Sequence, residues 1–360
     1  MGKISGKSLV NKYQDFLYPS AEVIAAGRKI PGDQSWYLKS LEVNSSLGPE
    51  PDMAVLIYRV DGWTPQQQRK LEGYLKLGQK MEILLGYGED VSRVFSGYLH
   101  QVEAYDFMRG YVEYTLICLD AKGLMKKNSV YQISGAKKVT QILEEIAGDR
   151  RYGFLLEKRE IARLPEGVNQ DCVVRGDTHF DWLCRLAEQL NFEFSCGMGA
   201  FVFRKAGTGN GNTLELTSEY GLQSVAMTVS MAGLTGGVSM YGYNRKDERL
   251  MGSGGWKKMS HPFTENLEKS LKDFSMAVWN MELETGDQAV ELAQAAMDRI
   301  QRRCCRMEVL TIGIPELLPG VSAEIGEESA ESLSGTIYVE EVCHQLDMEG
   351  YRTAARGRRF

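Results

Sequence analysis

The strongest constraint on this chain is a pattern that occurs twice. Near the end it runs Leu318-Pro319-Gly320, Glu324-Ile325, Leu333-Ser334-Gly335 and Gly350-Tyr351; upstream it runs Leu77-Gly78, Glu82-Ile83, Phe95-Ser96-Gly97 and Gly110-Tyr111. In both copies a glycine is followed by Glu-Ile at the fourth and fifth positions. An apolar-Ser-Gly triplet follows a polar turn, then comes an apolar strand, then Gly-Tyr. Glycine enters left-handed turn conformations without steric cost. Segments such as residues 339–346 alternate with the period of a half-buried strand. Each copy therefore reads as an antiparallel meander, and the chain as two similar β-barrels. Gly78 and Gly320, Gly97 and Gly335, and Tyr111 and Tyr351 are expected at corresponding places.

A length of 360 residues leaves room for two to four domains. With 43% hydrophobic and 25% charged residues, the composition is that of an ordinary globular protein. No apolar run is long enough to cross a bilayer. The first seven residues lack the apolar core of a secretory signal, and Ser5 stands one place too early for myristoylation at Gly2. A net charge of −6 argues against a dedicated nucleic-acid binder. The cysteines are Cys118, Cys172, Cys184, Cys196, Cys304, Cys305 and Cys343. Their odd number, wide spacing and lack of a CxxC pair fit reduced thiols used as small core hydrophobes, not a disulfide scaffold.

Residues 1–33 read as an N-terminal arm closed by Pro31-Gly32-Asp33 and ordered in part on a partner surface; the alternative is a first strand over residues 20–26 with a frayed tip. Residues 36–44 and 53–60 read as strands separated by Gly48-Pro49-Glu50-Pro51. Thr64, Pro65 and Gln67 open a short helix. With the first repeat this makes a small barrel over residues 34–122, crossed by a helix. Residues 123–206 read as an α/β domain. Ser134 caps one helix, stopped by Gly148. After a loop at Pro165-Glu166-Gly167 and Arg175-Gly176, Thr178 and Asp181 open a second helix. It buries Trp182, Leu183, Leu186, Ala187 and Leu190, and Trp182 is the largest side chain on that face. Strands at 192–194 and 200–203 form a hairpin.

Residues 207–211 read as a linker, followed by strands at 213–216, 225–231 and 237–243. Met251-Gly252-Ser253-Gly254-Gly255 reads as a flexible break. Residues 251–305 read as a helical insert. Its helix is capped by Asp287, buries Val290, Leu292, Ala293, Ala296, Met297 and Ile300, and ends in Arg299, Arg302 and Arg303. The second barrel is thereby split into 207–250 and 306–360. The fold class is mainly β with α+β insertions: two similar antiparallel tube-like β-barrels, an α/β domain between them and a helical insert in the second barrel.

The residues supply no catalytic pattern. His100, His179, His261 and His344 form neither HExxH nor HxH, so no zinc site is assigned. Cys343 and His344 are neighbours on a strand and point to opposite faces. A Cys and a His brought together only by the fold would be needed for a thiol enzyme. Gly252-Ser253-Gly254-Gly255 lacks the Lys-Ser/Thr of a phosphate loop, and no carboxylate pair stands in a glycosidase setting. Cys304-Cys305 at a helix end reads as packing, and Arg356-Gly357-Arg358-Arg359 as a solvated end. No catalytic, cofactor-binding or metal-ligating residue is assigned, and no cofactor.

Three stretches resemble the late control protein D family of phage tails, similar also to the hub part of type VI spike proteins. One is Val94-Phe95-Ser96-Gly97-Tyr98-Leu99; another is the run from Gly176-Asp177-Thr178 through Phe180, Leu183 and Arg185-Leu186-Ala187. The third is Gly313-Ile314-Pro315, Leu318-Pro319-Gly320, Gly335-Thr336-Ile337-Tyr338-Val339 and His344. The resemblance covers residues 34–360. It implies a structural baseplate hub of a contractile tail or injection system: a homotrimer whose six barrels adapt a three-fold central spike to a six-fold tail tube. Implied partners are a separate spike protein, the tail tube or its initiator and other baseplate proteins, with no membrane and no sequence-specific nucleic acid. Assembly in the bacterial cytoplasm into a phage tail or tailocin particle follows from the same resemblance. The alternative is a tail-associated enzyme such as a peptidoglycan hydrolase.

Overall fold

Alternation along the strands sets the architecture of the chain. The computed structural model describes residues 2–32, 36–61, 64–108, 110–127, 137–165, 168, 171–172, 177–243, 249–259, 261–280, 283–326 and 330–359. The chain opens with β1 (Gly2–Ile4), α1 (Gly6–Lys12), β2 (Pro19–Ala25) and β3 (Arg28–Lys29). A first β unit follows: β4 (Trp36–Ser46), β5 (Met53–Asp61), α2 (Pro65–Glu72), β6 (Lys80–Tyr87), β7 (Asp90–Asp106) and β8 (Tyr111–Leu119). Then come α3 (Ala121–Met125), β9 (Lys137–Lys138), α4 (Val139–Ala147), β10 (Lys158–Ile161), β11 (Asp171–Cys172), α5 (His179–Leu190), β12 (Phe192–Ser195) and β13 (Ala200–Lys205). The second unit begins with β14 (Asn212–Leu216) and β15 (Leu222–Val229) and resumes at β19 (Cys305–Ile312), β20 (Ser322–Ile325), β21 (Gly335–Asp347) and β22 (Gly350–Arg358). Between β15 and β19 lie β16 (Gly237–Tyr243), β17 (Arg249–Gly255), α6 (Leu267–Leu271), β18 (Ser275–Trp279) and α7 (Gly286–Gln301).

The first unit bonds in the order β6-β7-β8-β5-β4, every pair antiparallel. The second bonds in the order β20-β21-β22-β19-β15, again antiparallel throughout. Every second residue points inward: Ala54, Leu56, Tyr58 and Val60 on β5, and Val112, Tyr114, Leu116 and Cys118 on β8, are buried. One hydrophobic core runs through both units. The mainly β fold with α/β insertions is therefore present as read from the sequence.

Residues 1–33 differ from the arm expected of them. β1 pairs in parallel with β14, and β2 pairs antiparallel with β6. α1 lies between them, capped by Ser5, whose Oγ accepts from Ser8 N at 3.2 Å. Leu9 and Tyr13, four residues apart and so on one helical face, are buried. The Tyr13 hydroxyl donates to Glu316 at 2.7 Å, and Lys12 Nζ reaches the same oxygen at 2.6 Å. The segment lacks long periodicity because it is short pieces stitched to two different units.

The α/β domain buries the expected face of α5. Thr178 Oγ1 accepts from Asp181 N at 3.0 Å, and Trp182 is 5% exposed. The core of this domain includes Phe180, Phe194 and Leu143 and continues into Ala289, Leu292 and Ala293 of α7, so domain and insert pack as one. α4 begins at Val139, where Gln141 Oε1 accepts from Lys138 N at 3.1 Å. Ser134, Asp33, Glu166, Gly167, Arg175 and Gly176 lie outside the described residues, as do the side chains of Pro65, Gln67 and Cys172.

The insert is larger than residues 251–305 and is not purely helical. β16, expected in the second barrel, bonds instead to β17 and β18 in a separate sheet against α7. The glycines read as a flexible break form β17. A Cβ at Gly252 would lie 2.2 Å from the Ala289 carbonyl carbon, and one at Gly254 would lie 2.3 Å from Ala293 O. The glycines thus leave space for the helix backbone. The cap of α7 is Thr285, whose Oγ1 accepts from Gln288 N at 3.2 Å, not Asp287. Val290 is 49% exposed, off the buried face, whereas Leu292, Ala293, Ala296, Met297 and Ile300 are buried.

Two outcomes follow. Trp182→Ala is expected to cost about 3–5 kcal/mol of stability, by analogy with other large-to-small core changes, read as a lowered denaturation midpoint; an unchanged midpoint would place the indole outside the core. Gly254→Ala is expected to cost about 1–3 kcal/mol by overpacking and to raise amide exchange along α7. Gly255→Ala, where an added Cβ meets nothing within 4 Å, is expected to leave both unchanged.

Candidate assembly interface

The hydrogen-bond ladders align the two units residue by residue. β4 is bulged between Leu38 and Ser40, and β15 between Leu222 and Ser224. β7 is bulged against β8 between Leu99 and Gln101, and β21 against β22 between Val339 and Glu341. Gly78 N donates to Leu99 O at 2.8 Å and Leu99 N to Gln79 O at 3.0 Å; Gly320 N donates to Val339 O at 2.9 Å and Val339 N to Val321 O at 3.0 Å. Gly78 has φ +82° and Gly320 φ +88°, a region that favours glycine. These two glycines stand at equivalent places and make equivalent bonds.

The other two expected pairings shift. Ser96 faces Glu82 and Thr336 faces Glu324, so Gly97 aligns with Ile337, and Gly335 with Phe95. Gly97 has its own reason to be glycine: a Cβ there would lie 2.3 Å from Leu119 O. Gly335 has φ +116°. Tyr111 aligns with Gly350, one place before Tyr351, and a one-residue offset reverses the face of a strand residue. Tyr351 is buried, 5.8 Å from the Tyr87 ring and with its hydroxyl 2.9 Å from His344 Nδ1. Tyr111 stacks on Phe107 at 4.6 Å, under the Arg59 guanidinium at 3.8 Å.

The histidines and thiols have structural surroundings. His344 is fully buried beside Thr353 and Tyr351, and desolvation pushes its imidazole down to about 3. His179 shares a 2.9 Å hydrogen bond with the Tyr152 hydroxyl, and His261 accepts from Phe263 N. His100 lies edge-on to Tyr98. Burial pushes the Cys118 thiol up to about 12 and those of Cys184 and Cys343 up to about 11, so these sulfurs are not thiolate nucleophiles at neutral pH. Lys122, fully buried, lies 3.4 Å from Asp52 and 3.9 Å from Asp120, tying the end of β8 to the β4–β5 connection. Among the described residues no group of three or more His, Cys, Asp or Glu could hold a metal ion.

What the two units present among the described residues is one internal seam and, at the places equivalent to that seam, two open strand edges. β21 bonds β4 antiparallel from Glu341↔Ser46 to Leu346↔Leu41, joining the units edge to edge. β15 is the equivalent of β4, and among the described residues it bonds only β19. β7 is the equivalent of β21, and among the described residues its stretch from Gln101 to Asp106 bonds only β8. Gln101, Glu103, Ala104, Tyr105 and Asp106 are exposed there, as are Gln223, Ser224, Ala226 and Thr228 on β15. Motif reading missed these edges. The available signal was length: β7 has 17 residues against 8 for β6, and the excess overhangs.

Solved structures share the overall fold. A tail protein from Neisseria meningitidis MC58 superimposes with a TM-score of 0.69 at 11% identity, over 95% of this chain and 97% of that chain. The 43 kDa tail protein of prophage MuSo2 from Shewanella oneidensis gives 0.67 at 15% identity, over 94% and 98%. An Escherichia coli component of the type VI secretion system, itself structurally similar to T4 bacteriophage tail proteins, gives 0.60 at 10% identity, over 95% of this chain and 77% of that one. Identities this low carry the fold alone. No curated protein sequence matches the chain. The sequence model of the phage tail baseplate hub (GPD) matches residues 58–349. The chain therefore belongs to the phage tail baseplate hub (GPD) family.

Proposed function

We propose that this protein is the hub of a contractile tail or injection system in which three copies form a ring. Its six barrel-like units adapt a three-fold central spike to a six-fold tail tube. The observation that carries this reading is the duplication within each chain: the same strand order, with bulges at the same two places. A ring of three identical single units has no six-fold face, whereas three chains with two equivalent units each provide six similar surfaces. The α/β domain and the insert, sharing one core, form a body attached to the ring that seats the spike. A spike protein, the tail tube or its initiator and other baseplate proteins are the partners, and assembly takes place in the bacterial cytoplasm before the particle is complete. The role is structural, with no chemical turnover.

Light scattering on the purified protein is expected to give three times the 40.4 kDa chain mass, and averaged electron micrographs to show rings with six lobes. A monomer or dimer at all concentrations, or rings with three lobes only, would count against the reading. Incubation with purified peptidoglycan is expected to release no soluble fragments. Reproducible turnover that disappears on replacing one Cys or His would favour the hydrolase alternative.

A further inference from the structure

We infer that neighbouring copies join by an antiparallel ladder between β7 of one copy and β15 of the next, in the register of the internal β21–β4 seam. The alignment of the units translates that seam residue by residue. Val342↔Ser45 becomes Val102↔Val229, Cys343↔Asn44 becomes Glu103↔Thr228, His344↔Val43 becomes Ala104↔Met227, Gln345↔Glu42 becomes Tyr105↔Ala226, and Leu346↔Leu41 becomes Asp106↔Val225. The number of copies rests on the proposed hub; the pairing itself rests on the seam.

Burial supports the translation. Within the chain, Leu41, Val43, Val342 and His344 are each at most 3% exposed, because β4 and β21 cover one another. Their equivalents Val225, Met227 and Val102 are only half-buried, and Ala104 is exposed. The same backbone positions are open only where no strand lies alongside. A second copy would restore the missing cover, placing Val102 on Val229 and Ala104 on Met227. On the outer face Glu103 meets Thr228 and Tyr105 meets Ala226, with no like charges opposed.

The edges carry few of the devices that keep strand edges apart: each has one bulge, and residues 101–106 of β7 hold two carboxylates, Glu103 and Asp106. β15 (LQSVAMTV) contains no proline and no charged residue, and residues 101–106 of β7 contain no proline or lysine. Open edges of this kind are templates for further pairing. Each copy carries one edge of each kind, so the contact is head-to-tail and continues around a ring.

Disulfide trapping in the full-length protein tests the register. Glu103→Cys with Thr228→Cys, and Tyr105→Cys with Ala226→Cys, place sulfurs on directly opposed, exposed positions. Gln101→Cys with Ala226→Cys is four residues out of register, about 13 Å along the strand, too far for a bridge. Oxidation is expected to give covalent dimers and trimers on non-reducing gels for both in-register pairs, at least tenfold above the out-of-register pair, the single variants and the wild type. Unchanged melting profiles would establish that each variant is folded. Rings of trimer mass without in-register cross-links, or with equal trapping out of register, would overturn the pairing and leave the hub reading standing. A wild-type protein that stays monomeric would overturn both.

Discussion

Everything else in the fold depends on β21 bonding to three strands. Backbone amides and carbonyls buried away from water must find partners, and a strand longer than its neighbour leaves some of them open. β21 has 13 residues and β20 only 4, so β20 covers one end of it and leaves the rest of that edge for β4. The mismatch in strand length, not a linker or a surface patch, fuses the two units. The first unit repeats the mismatch between β6 and β7, with the overhang left open.

The duplication is one of backbone more than of side chains. At equivalent cross-strand positions the first unit pairs Ala104 with Tyr114, and the second pairs His344 with Thr353. Bulk has moved from one strand to the other. Ladder bonds and bulges fix the path of the chain, and side chains need only fill the space that path leaves. The second unit fills it with a polar cluster of His344, Tyr351 and Thr353, and packs it against Tyr87 of the first.

The sequence was informative wherever a signal is local. Alternation marked β4 and β21; Thr178 and Asp181 marked the start of α5; and Gly78 and Gly320 marked turns that only a left-handed residue makes. It was misleading wherever two arrangements share one local signal. Val238 and Met240 on β16 alternate as a barrel strand would, so periodicity could not say which sheet they joined. A glycine run fits a flexible joint as well as a flat strand beneath a helix, and only the approach of Ala289 and Ala293 decides. Matching Tyr111 with Tyr351 by identity slipped the pleat by one residue, because identity carries no register. The free edges were legible only as an excess of length in β7.

The parallel pairing of β1 with β14 has a consequence for the order of assembly during synthesis. Gly2 bonds opposite Asn212, and β14 in turn lies beside β20. Residues 2–4 therefore leave the ribosome long before the strand that receives them. Contacts so distant in sequence form slowly, since loop closure precedes any gain from the contact. The β4–β8 meander is made of near neighbours and is free to form first. β1 then stays unpaired until β14 has followed it, and is fixed after the β4–β8 meander that lies between them in sequence.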